Sequence, residues 1–373
     1  MSSSISPFYR PGAFPVLSSR VLASASQSLR LAIQSQHLIR SFYSSPPLIT
    51  PALTTTKGFT YLIGAAWSPK RKRQNVINHV TGNPWWREQM RTGKVDAGED
   101  AFFYVLTNCG VALGVADGVG GWSQMGVDSA AFSWDLMDNA ANVAKELGTA
   151  ERNRYKSSVR RYDDIVDAKR ILSRAFENMT KSGKVEAGSS TACILSLSND
   201  SGILNAATLG DSAFLLIRSG RLLYESPSQQ HFFNCPYQLT LVPEHYPNQK
   251  LYIRDKPSDA DQSTHQLQDG DVILLATDGF YDNVFPEEAV SIVNEELDKV
   301  LSGNKGTRNV SVEELTKRVR GLSRRLTDTA RKYSEDRKRI SPFSKNAMNM
   351  GESRLGGKID DITVLITLVR ANS

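Results

Sequence analysis

No stretch of 18 or more apolar residues occurs in the 373-residue chain, so no transmembrane helix is expected. The most apolar runs, such as Val111–Ala116 and Val272–Ala276, have the length of buried strands. Cysteine is scarce: Cys109, Cys193 and Cys235 are scattered, odd in number and never spaced Cys-x-x-Cys. That argues against a disulfide framework or a zinc site and suits a reducing compartment. A third shortage is local. The first acidic residue is Glu88, while Arg10, Arg20, Arg30, Arg40, Lys57, Lys70, Arg71, Lys72, Arg73 and Arg87 all precede it.

What is present is ordinary globular composition, with 40% hydrophobic and 23% charged residues. Lysine and arginine total 45 against 39 acids, a net charge of +6. Setting aside the first four arginines leaves about +2 on the rest, too little for the broad basic face of a nucleic-acid binder.

Residues 1–50 are serine-rich, acid-free and carry four arginines. Leu22, Ala25, Leu29 and Ile33 recur at helical spacing, with Arg20 and Arg30 off that stripe. The segment resembles a mitochondrial presequence, and Arg40-Ser41-Phe42-Tyr43-Ser44 looks like a matrix-peptidase cleavage region. We therefore expect a leader over 1–43, a linker over 44–57 and a folded domain over 58–371. Lys70–Arg73 reads as a solvated linker cluster and Gly58–Trp67 as an early strand.

Within the body, Ala101–Leu106, Val111–Ala116, Thr191–Leu197, Ile203–Leu209, Ala213–Arg218, Val272–Thr277 and Ile362–Val369 read as strands joined by hairpin-length turns. Ser129–Leu147, Ile165–Thr180, Pro286–Leu301 and Ser311–Tyr333 read as helices. Strands in runs with helices in pairs predict an α+β fold: a four-layer αββα sandwich of two antiparallel sheets flanked by helix pairs. Residues 227–261 lack periodicity and read as surface structure. Residues 334–358 are polar and read as a loop or partly mobile insertion.

One device recurs. Val111–Ala116 runs into Asp117-Gly118, Ile203–Leu209 into Gly210-Asp211, and Val272–Thr277 into Asp278-Gly279. Asp360-Asp361 and Glu99-Asp100 stand just before strands. Singly, each is a turn aspartate capping backbone amides. Together, if the strand ends meet, they put five acidic positions in one small volume. Few basic residues flank them in sequence, so hard divalent cations are the natural compensation. Two such ions would polarise a phosphoryl oxygen and activate a water.

Gly98-Glu99-Asp100, Asp117-Gly118-Val119-Gly120-Gly121, Leu209-Gly210-Asp211-Ser212, Ala276–Asn283 and Asp360-Asp361-Ile362-Thr363-Val364 stand in the order and spacing of the metal-dependent (PPM-type, protein phosphatase 2C) serine/threonine phosphatases. The chain resembles that family from about residue 58 to 370. Cys235–Leu239 and Ser341-Pro342-Phe343 point to its mitochondrial branch, the phosphatase two-C seven homologues. The resemblance implies hydrolysis of phosphoserine and phosphothreonine in mitochondrial matrix proteins by a water activated between two Mn²⁺ or Mg²⁺ ions. By position, Asp117 would bridge both ions and the Gly118 carbonyl would bind one. Asp278 and Asp360 would bind the other, and Glu99 and Asp100 would hold waters of the shell. Asp211 would sit near a third, weaker ion. A monomer with no nucleic-acid partner is expected.

Two departures stand out. The family's phosphate-clamping arginine position is Val95, leaving Lys94 as the expected grip, with Arg91 or Arg354 as other sources. Asp361 replaces the usual asparagine. His231, His245 and His265 lack ligand spacing; His231 reads as a surface or packing residue more readily than as a general acid. Trp85-Trp86 reads as packing. Two other readings stay open: a pseudophosphatase that binds partners, and a two-metal phosphohydrolase of small molecules.

Overall fold

A computed structural model of the chain describes residues 58–70, 94–157, 165–301 and 310–372. The expected leader and linker, Arg71–Arg73, Trp85-Trp86 and Arg91 lie outside the described residues. In chain order the elements are β1 (Gly58–Ser68), β2 (Asp100–Leu106), β3 (Gly110–Asp117), α1 (Ser129–Ser157), α2 (Ala168–Ser182), β4 (Gly188–Ser190), β5 (Ala192–Ser198), β6 (Ile203–Leu209), β7 (Ala213–Arg218) and β8 (Arg221–Glu225). There follow β9 (Gln230–Phe232), β10 (Cys235–Pro236), β11 (Leu239–Leu241), β12 (Asp261–Gln266), β13 (Val272–Ala276), α3 (Asp278–Tyr281), α4 (Pro286–Leu301), α5 (Val312–Glu335), α6 (Pro342–Asn349) and β14 (Ile362–Asn372).

Two five-stranded antiparallel sheets carry the fold, one in the order β1-β14-β13-β7-β8 and the other β12-β6-β5-β3-β2. The expected sandwich is what the packing shows. Along β13, Ile273 and Leu275 point into the layer between the sheets, where they meet Phe214, Leu113 and Leu195. Val272, Leu274 and Ala276 point the other way, onto Leu315, Val319, Leu322 and Leu326 of α5 and Ala289 and Val293 of α4. In β3 the same alternation sends Leu113 and Val115 inward. Ala112 and Ala116 face Phe132, Leu136 and Met137 of α1 and Ile171 and Leu172 of α2. Strands covered on both faces need apolar residues at every position, so their period of two is hidden in continuous runs. Each fully buried leucine or isoleucine contributes about 2 kcal/mol of burial.

Helix limits follow local chemistry. The Asp167 carboxylate accepts from Arg170 N at 2.7 Å and starts α2. Ser311 accepts from Glu314 N at the start of α5, where Glu313 and Glu314 also suit the positive helix end. The expected mobile insertion over 334–358 is corrected in part, because α6 forms inside it. Ser341 and Ser344 cap each other reciprocally and Pro342 occupies the first turn. The helix was hidden because eight residues are too few to show a period. Its Phe343 N donates to Asp282 O at 3.0 Å, tying it to the neighbouring α3. Among the described residues no helix is long and apolar enough to cross a membrane.

Candidate active site

The two sheets end at one pole, and the acidic strand ends meet there. Asp100 and Asp117 are cross-strand partners at the end of the β2–β3 pair. Asp100 is fully buried. Its Oδ2 accepts from Thr277 Oγ1 at 2.9 Å and from Thr363 Oγ1 at 2.8 Å. Thr277 follows the last residue of β13 and Thr363 is the second of β14, so the bonds stitch one sheet to the other. Asp278 opens α3 two residues past β13 and lies beside Asp117. Asp211 follows β6 and, with Asp282, Gln230, Asn234, Phe343 and Asn346, lines a recess of about 250 Å³.

Asp361 anchors the pole. It is 2% exposed, and its Oδ1 accepts from Lys70 N at 2.6 Å while Oδ2 accepts from Glu99 N at 2.9 Å. An asparagine has one acceptor oxygen on its side chain and would turn an NH₂ toward the second amide. The carboxylate thus satisfies two backbone donors that the amide could not. Gly98 and Gly279 press against it. A Cβ on Gly98, whose φ is +75°, would stand 2.0 Å from Asp361 Oδ1, and one on Gly279 would stand 1.9 Å from Asp361 O.

Two lysines enter the cluster, against the expectation that few cations flank it. Lys70 Nζ lies 2.6 Å from Glu99 Oε2, 3.0 Å from Asp360 Oδ1 and 3.4 Å from Asp361 Oδ2. Lys358 Nζ lies 2.6 Å from Asp278 Oδ2, 2.7 Å from Asp282 Oδ2 and 3.4 Å from Asp360 Oδ2. Lys70 is therefore part of the site, not a solvated linker residue.

The charges are far from balanced. Burial pushes the Asp117 carboxyl well above the ordinary range, and repulsion from Asp278, Asp100, Asp360 and Asp211 adds to it. Asp100 and Asp211 are raised well above it too, by burial first and then by neighbouring aspartates, Asp361 and Asp278 respectively. Asp282 is pushed up to about 7 by burial, against the pull of Lys358. Asp278 differs: burial opposes its charge, but the Lys358 ion pair outweighs burial and holds it below the ordinary value.

Comparison with known proteins settles the family. The sequence model described as Stage II sporulation protein E (SpoIIE) matches residues 108–337. The protein phosphatase PTC7 homolog fig of Drosophila mojavensis is 40% identical over 277 residues, covering 73% of this chain and 78% of its own. The chain belongs to the PP2C-type protein phosphatases, among the PTC7 homologues. The human protein phosphatase PTC7 homolog is 35% identical over 272 residues, 73% of this chain and 79% of its own. The X-ray structure of the photosystem II phosphatase PBCP shares 28% identity and a TM-score of 0.57, covering 83% of this chain and 98% of that one. This PP2C-type chain is accordingly a protein serine/threonine phosphatase, and metal dependence is general to its family.

The donor set of the phosphatase fits divalent cations. Asp100 Oδ1, Asp211 Oδ1 and Asp278 Oδ1 are buried with no hydrogen-bond partner. Hard oxygen donors left unpaired among like charges call for a cation. Among the described residues no three such side chains yet converge at metal-ligand distances; Lys70 and Lys358 stand among them. Lys94, the expected phosphate grip, is placed elsewhere. Its Nζ pairs with Asp138 of α1 and lies 4.8 Å from the centre of the Trp134 ring. Val95 packs on the core beneath α1, which explains a valine there. The Arg354 guanidinium covers Phe343 at 4.5 Å.

His231 takes the packing role, bonded to Asp255 Oδ2 at 2.9 Å and stacked on Tyr237. The His265 ring lies 4.2 Å from that of Tyr224, and burial with the Arg218 charge holds it below the usual histidine range. Sequence reasoning missed Lys70, Lys358, Thr277 and Thr363. Lys358 had a signal, standing two residues before Asp360; Lys70 had none, because a long segment separates it from Glu99.

Proposed function

We propose that this phosphatase hydrolyses phosphoserine and phosphothreonine in proteins with two divalent cations, Mn²⁺ or Mg²⁺, in the mitochondrial matrix. One observation carries the reading: Asp100, Asp117, Asp211, Asp278 and Asp360 approach one another where both sheets end, and three of their buried oxygens lack partners. Asp117, Asp278, Asp360 and the Gly118 carbonyl would hold the two ions. Glu99 and Asp100 border them, and Asp211 with Asp282 offers a third, weaker place. When bound, the ions supply Lewis-acid polarisation of the phosphoryl oxygens and an activated water.

The chain's own residues do the rest. Thr277 and Thr363 hold one oxygen of Asp100 and leave the other free. Asp361 fixes the Glu99 backbone and so the approach of its side chain. Burial of Asp100 and Asp278 keeps bulk water from screening the charges that act on phosphate. Phosphorylated mitochondrial proteins are the partners this reading implies, and the acid-free, arginine-spaced leader supports the matrix.

Phosphate release from phosphoserine and phosphothreonine peptides, with Mn²⁺ or Mg²⁺ and with excess EDTA, tests the chemistry. Activity retained in EDTA would overturn it, and preferential cleavage of nucleotide or sugar phosphates would overturn the substrate class. A reporter carrying residues 1–60 should enter the matrix and should stop entering when Arg20, Arg30 and Arg40 become glutamate.

A further inference from the structure

The lysines at the acidic pole are built into it. Lys358 is 15% exposed at its side chain. Its backbone N donates to Asn283 Oδ1 at 2.9 Å, and its carbonyl accepts from Asn283 Nδ2 at 2.8 Å. Asn283 is itself fully buried and also donates to Gly279 O. The preceding Gly357 allows the close approach, since a Cβ there would stand 2.2 Å from Tyr333 O. The ammonium then reaches Asp278, Asp282 and Asp360 with the Phe343 ring 5.3 Å away. Lys70 is fixed in the same way, its N bonded to Asp361 and its Nζ to Glu99 and Asp360.

Asp278 and Asp360 are among the carboxylates that the proposed function assigns to divalent cations, with Glu99 bordering them, and the inference rests on that reading. A carboxylate oxygen that accepts an ammonium N–H has that lone pair engaged. Each such bond must open, or turn to another acceptor, before the lone pair reaches a metal. The ammonium charge at 2.6–3.4 Å from the ligands also repels an arriving cation. We propose that Lys358, and secondarily Lys70, are internal counter-ions that compete with divalent cations for these carboxylates and set the cation concentration at which the phosphatase loads. They are positioning residues, acting on the metal ligands and not on substrate.

Calorimetric titration of Mn²⁺ into the full chain and its variants tests this. Lys358→Met keeps the stem and removes the charge, and should lower Kd about tenfold. Lys70→Met, whose side chain is 36% exposed, should lower it about threefold. Lys358→Arg should restore a Kd near that of the wild type. A folded Lys358→Met with unchanged or raised Kd overturns the inference. If Lys358→Met does not fold, Lys70→Met decides by the same criterion. A wild type that binds no Mn²⁺ at millimolar concentration overturns the proposed function itself. A wild type that binds, with charge-removed variants no tighter, overturns only the competition.

Discussion

Strand β13 has an aspartate at each end, and the two are treated in opposite ways. Asp271, just before it, is 1% exposed and fully satisfied. Arg218 grips it with Nε at 2.8 Å and Nη2 at 2.7 Å, and Gln268 N donates to it at 2.8 Å. Asp278, two residues past the other end, is also buried, yet one of its oxygens has no partner, the other takes only Lys358 Nζ at 2.6 Å, and Asp117 and Asp282 crowd it. A bidentate arginine and a backbone amide make a carboxylate a structural clasp. An unpaired oxygen among like charges makes it a ligand in waiting. Burial alone does not separate the two roles; the bond inventory does.

Substitutions at the two ends should therefore break different things. Asp117→Asn and Asp278→Asn are nearly isosteric, and each should cut kcat by at least about two orders of magnitude at saturating Mn²⁺. Asp117→Asn should not lower Tm, because it removes a repelling charge, whereas Asp278→Asn loses the Lys358 ion pair and should lower it. Near-normal turnover would make these residues turn caps. Arg218→Met should do the reverse. It leaves Asp271 buried with an unmatched charge and should cost about 3 kcal/mol in denaturant unfolding, while the folded fraction keeps its kcat.

The pH response sharpens the contrast. Folded-state values raised above the unfolded ones, as for Asp100, Asp117 and Asp211, mean stability that is complete below the ordinary carboxyl range, about pH 4, and is lost as pH rises through the raised values. Asp282, at about 7, carries that loss up to neutral pH. In EDTA, Tm should fall between pH 5 and pH 8, and the rise in Tm on adding Mn²⁺ should be larger at pH 8 than at pH 5. Asp278, held low, is ionised in both states over this range and leaves the slope unchanged; its contribution is lost only as pH falls below the ordinary carboxyl range. A metal-free Tm that climbs over this range would show that the acids are compensated.

The smallest effect is expected at Lys94. Its pair with Asp138 is partly exposed, the two side chains at 26% and 46%, so Lys94→Ala should cost at most about 1 kcal/mol. Because its Nζ faces α1, KM for a phosphopeptide should not change. A several-fold rise in KM would return Lys94 to the phosphate.

Much of this was legible along the chain. Eight of the ten strands in the two five-stranded sheets were readable because apolar runs of Val, Ile, Leu and Phe fill them and turn residues mark their ends; the exposed edge strand β8 was not foreseen. The polar edge strand β12, Asp-Gln-Ser-Thr-His-Gln with every second residue exposed, lacked that signature and was not foreseen. The acids at the strand ends were readable because the same Asp-Gly device repeats.

By itself the sequence determined the α+β class, the acidic motifs that the phosphatase family shares, and an N-terminal segment without acids, since each is written in local composition and spacing. Tertiary structure alone decided which groups face those acids. Lys70 meets Glu99 across 29 residues and Thr363 meets Asp100 across 263, as strands from two sheets end side by side. It also sent Lys94, five residues from Glu99, to a helix instead. Sequence distance says little about such pairings, because sheet register and packing of the two sheets choose which side chains share the pole, and the charges there respond to distance in space.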